Sequence, residues 1–285
     1  MASTPDLGLI RAKAARMRLD IVEMIAEAGS GHPGGSLSAA DIVAALYFGV
    51  LRHDPTRPDW SERDRFVLSK GHAAPVLYAA LAEAGYFDRQ HLSTLRKLGS
   101  ILQGHPDSKK VPGVEVSTGS LGQGLSIASG IALGLKLDGS QSRVFCLLGD
   151  GELQEGQVWE AAMFAAHHRV DRLVAIVDHN GLQIDGACSE VMCLGDVEAK
   201  FSAFGWKTIA TDGHDTESLM RAFAAADAAL GDGSPVVIVC RTTKGKGVSF
   251  MENNAGWHGK APNADETERA VAELSAVIEK EAARG

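Results

Sequence analysis

A chain of 285 residues can bury a large core in one α/β domain, and its 45% apolar and 22% charged residues are those of an ordinary globular protein. A net charge of −8 and a pI near 5.7 exclude the basic face that nucleic acid requires. No apolar stretch is long enough to span a bilayer, so no membrane partner is expected.

In chain order, Leu7–Gly29 intersperses Arg11, Lys13, Arg16, Arg18, Asp20 and Glu23 with apolar residues, which predicts an amphipathic helix rather than an export signal. Gly29 to Ser36 is a loop too rich in glycine to be helical. Its exposed amides and the central His32 point to a ligand site. Ser38 is expected to cap a helix from Ala39 to Gly49, with Asp41 in its first turn. Phe66–Leu68 is a short strand that hands over at Ser69-Lys-Gly-His72 to a helix from Pro75 to Gly85. His72 thus stands at a helix N-terminus, a natural anion site. Leu92–Leu98 reads as helix, and Gly104-His-Pro-Asp107 ends the following loop. Thr118 to Gly124 opens a small-residue helix that runs to Leu137. Its G-x-x-G-x-G order reverses the dinucleotide fingerprint, and no clear strand precedes it, so a nicotinamide site is disfavoured.

Arg143 to Asp185 carries the strongest signal: an apolar strand, a Gly149-Asp150-Gly151 turn, a helix from Leu153 to His168, a second strand, and an Asp178-His-Asn180 turn. This βαβ unit places Asp150 and Asn180 beyond the carboxyl ends of two strands, where open α/β sheets bind ligands. Hard oxygen donors without nearby sulfur suit Mg²⁺ or Ca²⁺. Thr208–Thr211 and Pro235–Cys240 add strands, with an alanine-rich helix from Ser218 to Leu230 between them and a terminal helix after Ala261. The fold class is α/β, a doubly wound, mostly parallel sheet with helices on both faces. With no repeat or linker, residues 1–285 form one domain. The four cysteines form no C-x-x-C pair, and Cys146 and Cys240 lie in predicted strands, so a cytoplasmic location is expected.

The set GHPGGSLS, LSKGHAAP, GHPD, GVEVSTGSLGQG, GDGELQEGQVWE, DHNGLQIDG, TTKGKGV and WHGKAP resembles the transketolases, in family order and over nearly the whole chain. The resemblance implies a thiamine diphosphate-binding domain, and a chain that stops after it implies the N-terminal subunit of a split enzyme. Asp150, Asn180 and the carbonyl of Leu182 would hold Mg²⁺, with Ca²⁺ or Mn²⁺ as substitutes. Gly151, flanked by Gly149 and Glu152 in the cofactor-binding set, would give its amide to a phosphate. His72 and His258 would contact the diphosphate or the ketose, and His32 and His105 would line the substrate channel. Gly119 and Leu121 would touch the aminopyrimidine. Glu155 would join a carboxylate network across the subunit boundary, with Glu160 a weaker candidate. The family commonly has proline where this chain has Ser120.

The implied activity is reversible transfer of a two-carbon unit between sugar phosphates, as in the pentose phosphate route. It would need a C-terminal partner subunit bearing the pyrimidine-binding domain, in an α₂β₂ heterotetramer. Neutral histidines suit the proton transfers such chemistry needs. The alternatives are a transketolase-like enzyme of a peripheral sugar pathway, a 1-deoxyxylulose-5-phosphate synthase relative, a cofactor-holding regulatory subunit, or a dinucleotide oxidoreductase.

Overall fold

A computed structural model describes residues 5–284; residues 1–4 and 285, at the limits of the predicted domain, lie outside it. The chain begins with α1 (Leu7–Ala28), capped by the Asp6 carboxylate and closed by Gly29 in the left-handed region. Next come α2 (Pro33–Ser38) and α3 (Ala40–Ala45), the latter running into a π-helical turn at Leu46–Val50. Strand β1 (Arg65–Leu68) leads through a tight turn into α4 (Ala74–Ala84), and α5 (Gln123–Leu137) precedes β2 (Val144–Gly149). Helix α6 (Gly156–His167) and β3 (Leu173–His179) complete the central unit. A two-stranded flap, β4 (Leu182–Gln183) and β5 (Gly186–Ala187), then meets the short α7 (Cys188–Val191). The remainder is α8 (Val197–Ala203), β6 (Lys207–Asp212), α9 (Thr216–Ala228), β7 (Val236–Arg241) and α10 (Ala264–Ala282).

The main sheet has the order β1-β2-β3-β7-β6, every pair parallel. The inner strands β2, β3 and β7 are apolar on both sides because both faces are covered, while the edge strand β6 is partly exposed. Phe145, Leu147, Val174, Ile176, Val236 and Ile238 pack under α1, α3, α4, α9 and α10. The alternate residues Val144, Cys146, Leu148, Ala175, Val177 and Val237 pack under α5, α6 and α8. The expected doubly wound sheet is therefore present. Among the described residues no helix is long and apolar enough to cross a membrane.

Four local expectations fail. The glycine-rich segment after Gly31 is helix α2, because Pro33 at its first turn pre-sets the backbone and the close packing at Gly34, where a Cβ would lie 2.9 Å from the Trp257 carbonyl, suits a residue without a side chain. Ser38 caps nothing; its hydroxyl bonds the Gly35 carbonyl and Asp178. The segment expected to be helical from Leu92 to Leu98 is a 3₁₀ turn at Arg89–Thr94 followed by irregular chain, with Arg96 in the left-handed region at φ 61°. The helix expected from Leu153 begins only at Gly156, since Glu155 is extended after a 3₁₀ turn at Gly151–Gln154.

Candidate functional site

The carboxyl ends of β1, β2, β3 and β7 open onto one cavity of about 230 Å³. It gathers His32, His72, Gly119, Leu121, Gly149, Asp150, Gly151, Glu152, Asn180, Leu182 and His258 from segments far apart in the chain. His105 stands behind its rim: a methyl added at Gly119, where φ is 159°, would meet the His105 ring at 3.0 Å. Glu155 is exposed and outside the cavity, as is Glu160.

Asp150 follows β2 and Asn180 follows β3, and the register Gly149↔Asp178 sets them side by side. Asp150 accepts from the amides of Gly151 at 2.9 Å and Gly181, and the Asn180 side chain accepts from Leu182 N at 3.1 Å. Burial, then the nearby Asp178, pushes the Asp150 carboxyl upward. His179 Nδ1 stands 3.9 Å from it, and a buried carboxylate beside an amide oxygen is a donor set that fits a hard divalent ion.

Glu152 lines the cavity but spends its carboxylate on the scaffold. It accepts from Ser69 Oγ at 2.5 Å, Gly122 N at 2.9 Å and Gly149 N at 3.0 Å. It ties three site segments together at the cavity wall.

His32, His72 and His258 form a triangle with ring centroids 5.2 to 5.5 Å apart. Burial lowers all three, reinforced by Arg96 for His32, which falls to about 4, and by Lys244 for His258, which falls to about 3. His72 is lowered by burial and by Lys70. His32 Nδ1 is buried without a hydrogen-bond partner. Such an orphan beside a cavity suits a site shaped for a polar ligand.

Two lysines that sequence reasoning missed, Lys70 and Lys244, also line the cavity, the first held by the buried Asp178. Lys70 is buried with its ammonium bonded to the Gly35 carbonyl at 2.9 Å and to Asp178. Lys244 lies 2.9 Å from His258 Nδ1 and is lowered to about 8 by burial and by Lys70. Their signal was present: each lysine follows a strand end within a glycine-rich turn, Ser69-Lys-Gly and Thr243-Lys-Gly.

Fold and cavity define the class: an α/β domain whose parallel sheet presents cations and a hard-oxygen donor set at its carboxyl edge. The family described as "Transketolase, thiamine diphosphate binding domain" matches residues 10–277. The chain belongs to this family, the thiamine diphosphate-binding domain of transketolases. It is 46% identical over 253 residues, 89% of its length and 91% of the relative's, to the 6-deoxy-6-sulfo-D-fructose transketolase subunit SqwG of Clostridium sp. (strain MSTE9). It is 43% identical, over 94% of both chains, to one of the apulose-4-phosphate transketolase subunits of Phocaeicola vulgatus. The crystal structure of transketolase from Campylobacter jejuni superposes with a TM-score of 0.87 at 31% identity, over 96% of this chain and 45% of the other. The chain thus spans under half the length of the solved transketolase it matches, but nearly all of the two subunits.

Proposed function

We propose that the chain is the diphosphate-binding subunit of a two-subunit transketolase. With a partner carrying the pyrimidine-binding domain, it transfers a two-carbon ketol unit reversibly from a ketose phosphate to an aldose phosphate. The observation that carries this reading is the single cavity uniting Asp150, Asn180 and Leu182 with the triangle of His32, His72 and His258. Two relatives of nearly the same length are named as transketolase subunits, which supports the need for a partner. Exposed Ile184, at the cavity's edge, and Val191 and Met192 farther along the same segment give that partner apolar surface to cover.

Asp150, Asn180 and the Leu182 carbonyl would hold Mg²⁺, with Ca²⁺ or Mn²⁺ as substitutes. The Gly151 amide, His72, His258 and Lys244 would receive the diphosphate, with Gly149 and Glu152 shaping the turn beneath it. Gly119 and Leu121 would meet the aminopyrimidine. Thiamine diphosphate supplies the carbanion chemistry when bound. The chain's own part is to orient it, neutralise its phosphates and move protons on sugar hydroxyls, and neutral His32 and His105 suit the last task. Glu155, exposed at the start of α6, is free to meet a neighbouring chain in an α₂β₂ assembly. A cytoplasmic location is part of this reading and is supported by four free thiols.

A peripheral sugar pathway is favoured over the pentose phosphate route, because the two subunit-length relatives are named for a sulfo-fructose and for apulose-4-phosphate.

Calorimetric titration of thiamine diphosphate with MgCl₂ into the mixed subunits tests the proposal. Wild type should bind it and ignore NAD, the single chain should not turn over, and Asp150→Asn should lose the metal-dependent part of binding. Turnover by the single chain, or unaltered affinity in D150N, would overturn it.

A further inference from the structure

We propose that His214, outside the cavity, is a positioning residue that sets Lys244 by fixing the main chain at Thr243; the assignment rests on the cofactor-binding reading above. His214 follows β6 and does not line the cavity. Its Nε2 lies 2.8 Å from Thr243 N, and a backbone N–H can only donate, so Nε2 accepts. The proton then sits on Nδ1, 2.7 Å from Asp41 Oδ2. Burial works against the Asp41 charge, yet Arg18 and His214 outweigh it and hold the carboxyl at about 2. A permanently ionised acceptor therefore fixes the imidazole in the one tautomer that can receive Thr243.

The loop so gripped is the one that delivers Lys244 to His258. Its other residues are held too: Thr242 Oγ1 donates to Asp178, Gly245 N to the Gly34 carbonyl at 3.0 Å, and the Lys246 carbonyl accepts from Arg18 at 3.1 Å. Arg18 thus serves both ends, bonding Asp41 and the loop. A second observation shows the same approach from the main chain. At Gly213 a Cβ would fall 2.5 Å from Thr242 Cγ2, so only glycine lets the β6 end close onto β7 and bring His214 within reach of Thr243. Gly213 N completes the closure by donating to the Arg241 carbonyl at 2.8 Å.

The test compares His214→Leu with His214→Gln, which keeps one donor and one acceptor, in the chain mixed with its partner subunit. Inorganic pyrophosphate and thiamine diphosphate, each with MgCl₂, are the probes. H214L should weaken both by about tenfold with little change in melting midpoint, and H214Q should recover most of the loss. In the cofactor-free chain, hydrogen exchange at the Thr243 amide should quicken in H214L and stay protected in H214Q. Equal losses in the two variants, unchanged exchange at Thr243, or a fall in melting midpoint large enough to account for the lost binding would overturn the assignment. Exchange is read without cofactor, so failure of the wild type to bind thiamine diphosphate would sink the functional reading alone.

Discussion

Lys70 and Asp178 form an ion pair whose side chains are 2% and 0% exposed. The aspartate also accepts from Ser38 and Thr242, and the lysine donates to the Gly35 carbonyl. One pair therefore joins α2, the turn after β1, the end of β3 and the end of β7, which are the four segments that carry His32, His72, Asn180 and Lys244.

A buried pair is costly to break from one side, because the surviving charge is left without compensation. Lys70→Met or Asp178→Asn alone should each destabilise the chain by roughly 3–5 kcal/mol. The double variant K70M/D178N should recover most of that loss, since no buried charge remains. Urea unfolding of the three variants near neutral pH gives the coupling directly. Additive losses in the double variant would show that the pair does not hold the site together.

The histidine triangle sets a pH dependence. His32 and His258 are depressed to about 4 and about 3, while in the unfolded chain each titrates near the ordinary value of about 6.5. Between these limits the unfolded state binds more protons than the folded state. The stability is therefore fully present above pH ~6.5 and is lost as pH falls toward ~4. An anion beside the rings favours the imidazolium, so pyrophosphate should flatten this slope. His258→Asn should remove part of it. Urea midpoints measured from pH 7 to pH 4.5 check both outcomes, and a slope indifferent to pyrophosphate would remove the histidines from the anion site.

Two glycines on α5 should respond in opposite directions. At Gly124 a Cβ would lie 2.3 Å from Ser69 Oγ and 2.6 Å from Ser69 Cα, so Gly124→Ala forces the helix away from the β1 turn and should cost about 1–3 kcal/mol or more. Gly130 is exposed in the helix interior with nothing within 4 Å, and Gly130→Ala should stabilise the isolated chain by about 0.5–1 kcal/mol. Thermal melts of both variants decide the matter.

Much of this architecture was legible because it depends on local pattern. Doubly buried strands such as Leu173–His179 read as continuous apolar runs, and Gly85 marked the end of α4. The βαβ unit alone put Asp150 and Asn180 at neighbouring strand ends. Segments whose conformation is decided by distant neighbours were not legible. Pro33–Ser38 is helical despite Gly34 and Gly35, and the missing side chain of Gly34 leaves room for Lys244. The bonds that Ser69, Gly122 and Gly149 give to Glu152 come from segments up to 83 residues away, and no local pattern discloses them. Lys70 and Asp178 are 108 residues apart, so only the sheet order could disclose their pairing.

For the proposed metal-binding role, the register of β2 against β3 bears on which ions would fit. Asp150 and Asn180 hang from adjacent strands, and hydrogen-bonded strands stand ~4.8 Å apart whatever the loops beyond them do. The separation of the main chains that carry this pair is thus ruled by the backbone ladder, like the fixed jaw of a calliper. Flap residues such as Gln183 and Ile184 can drift in sequence without altering that gap. Moving Asp150 and Asn180 apart or together would require reshaping the sheet itself, a change that every helix packed on its two faces would resist.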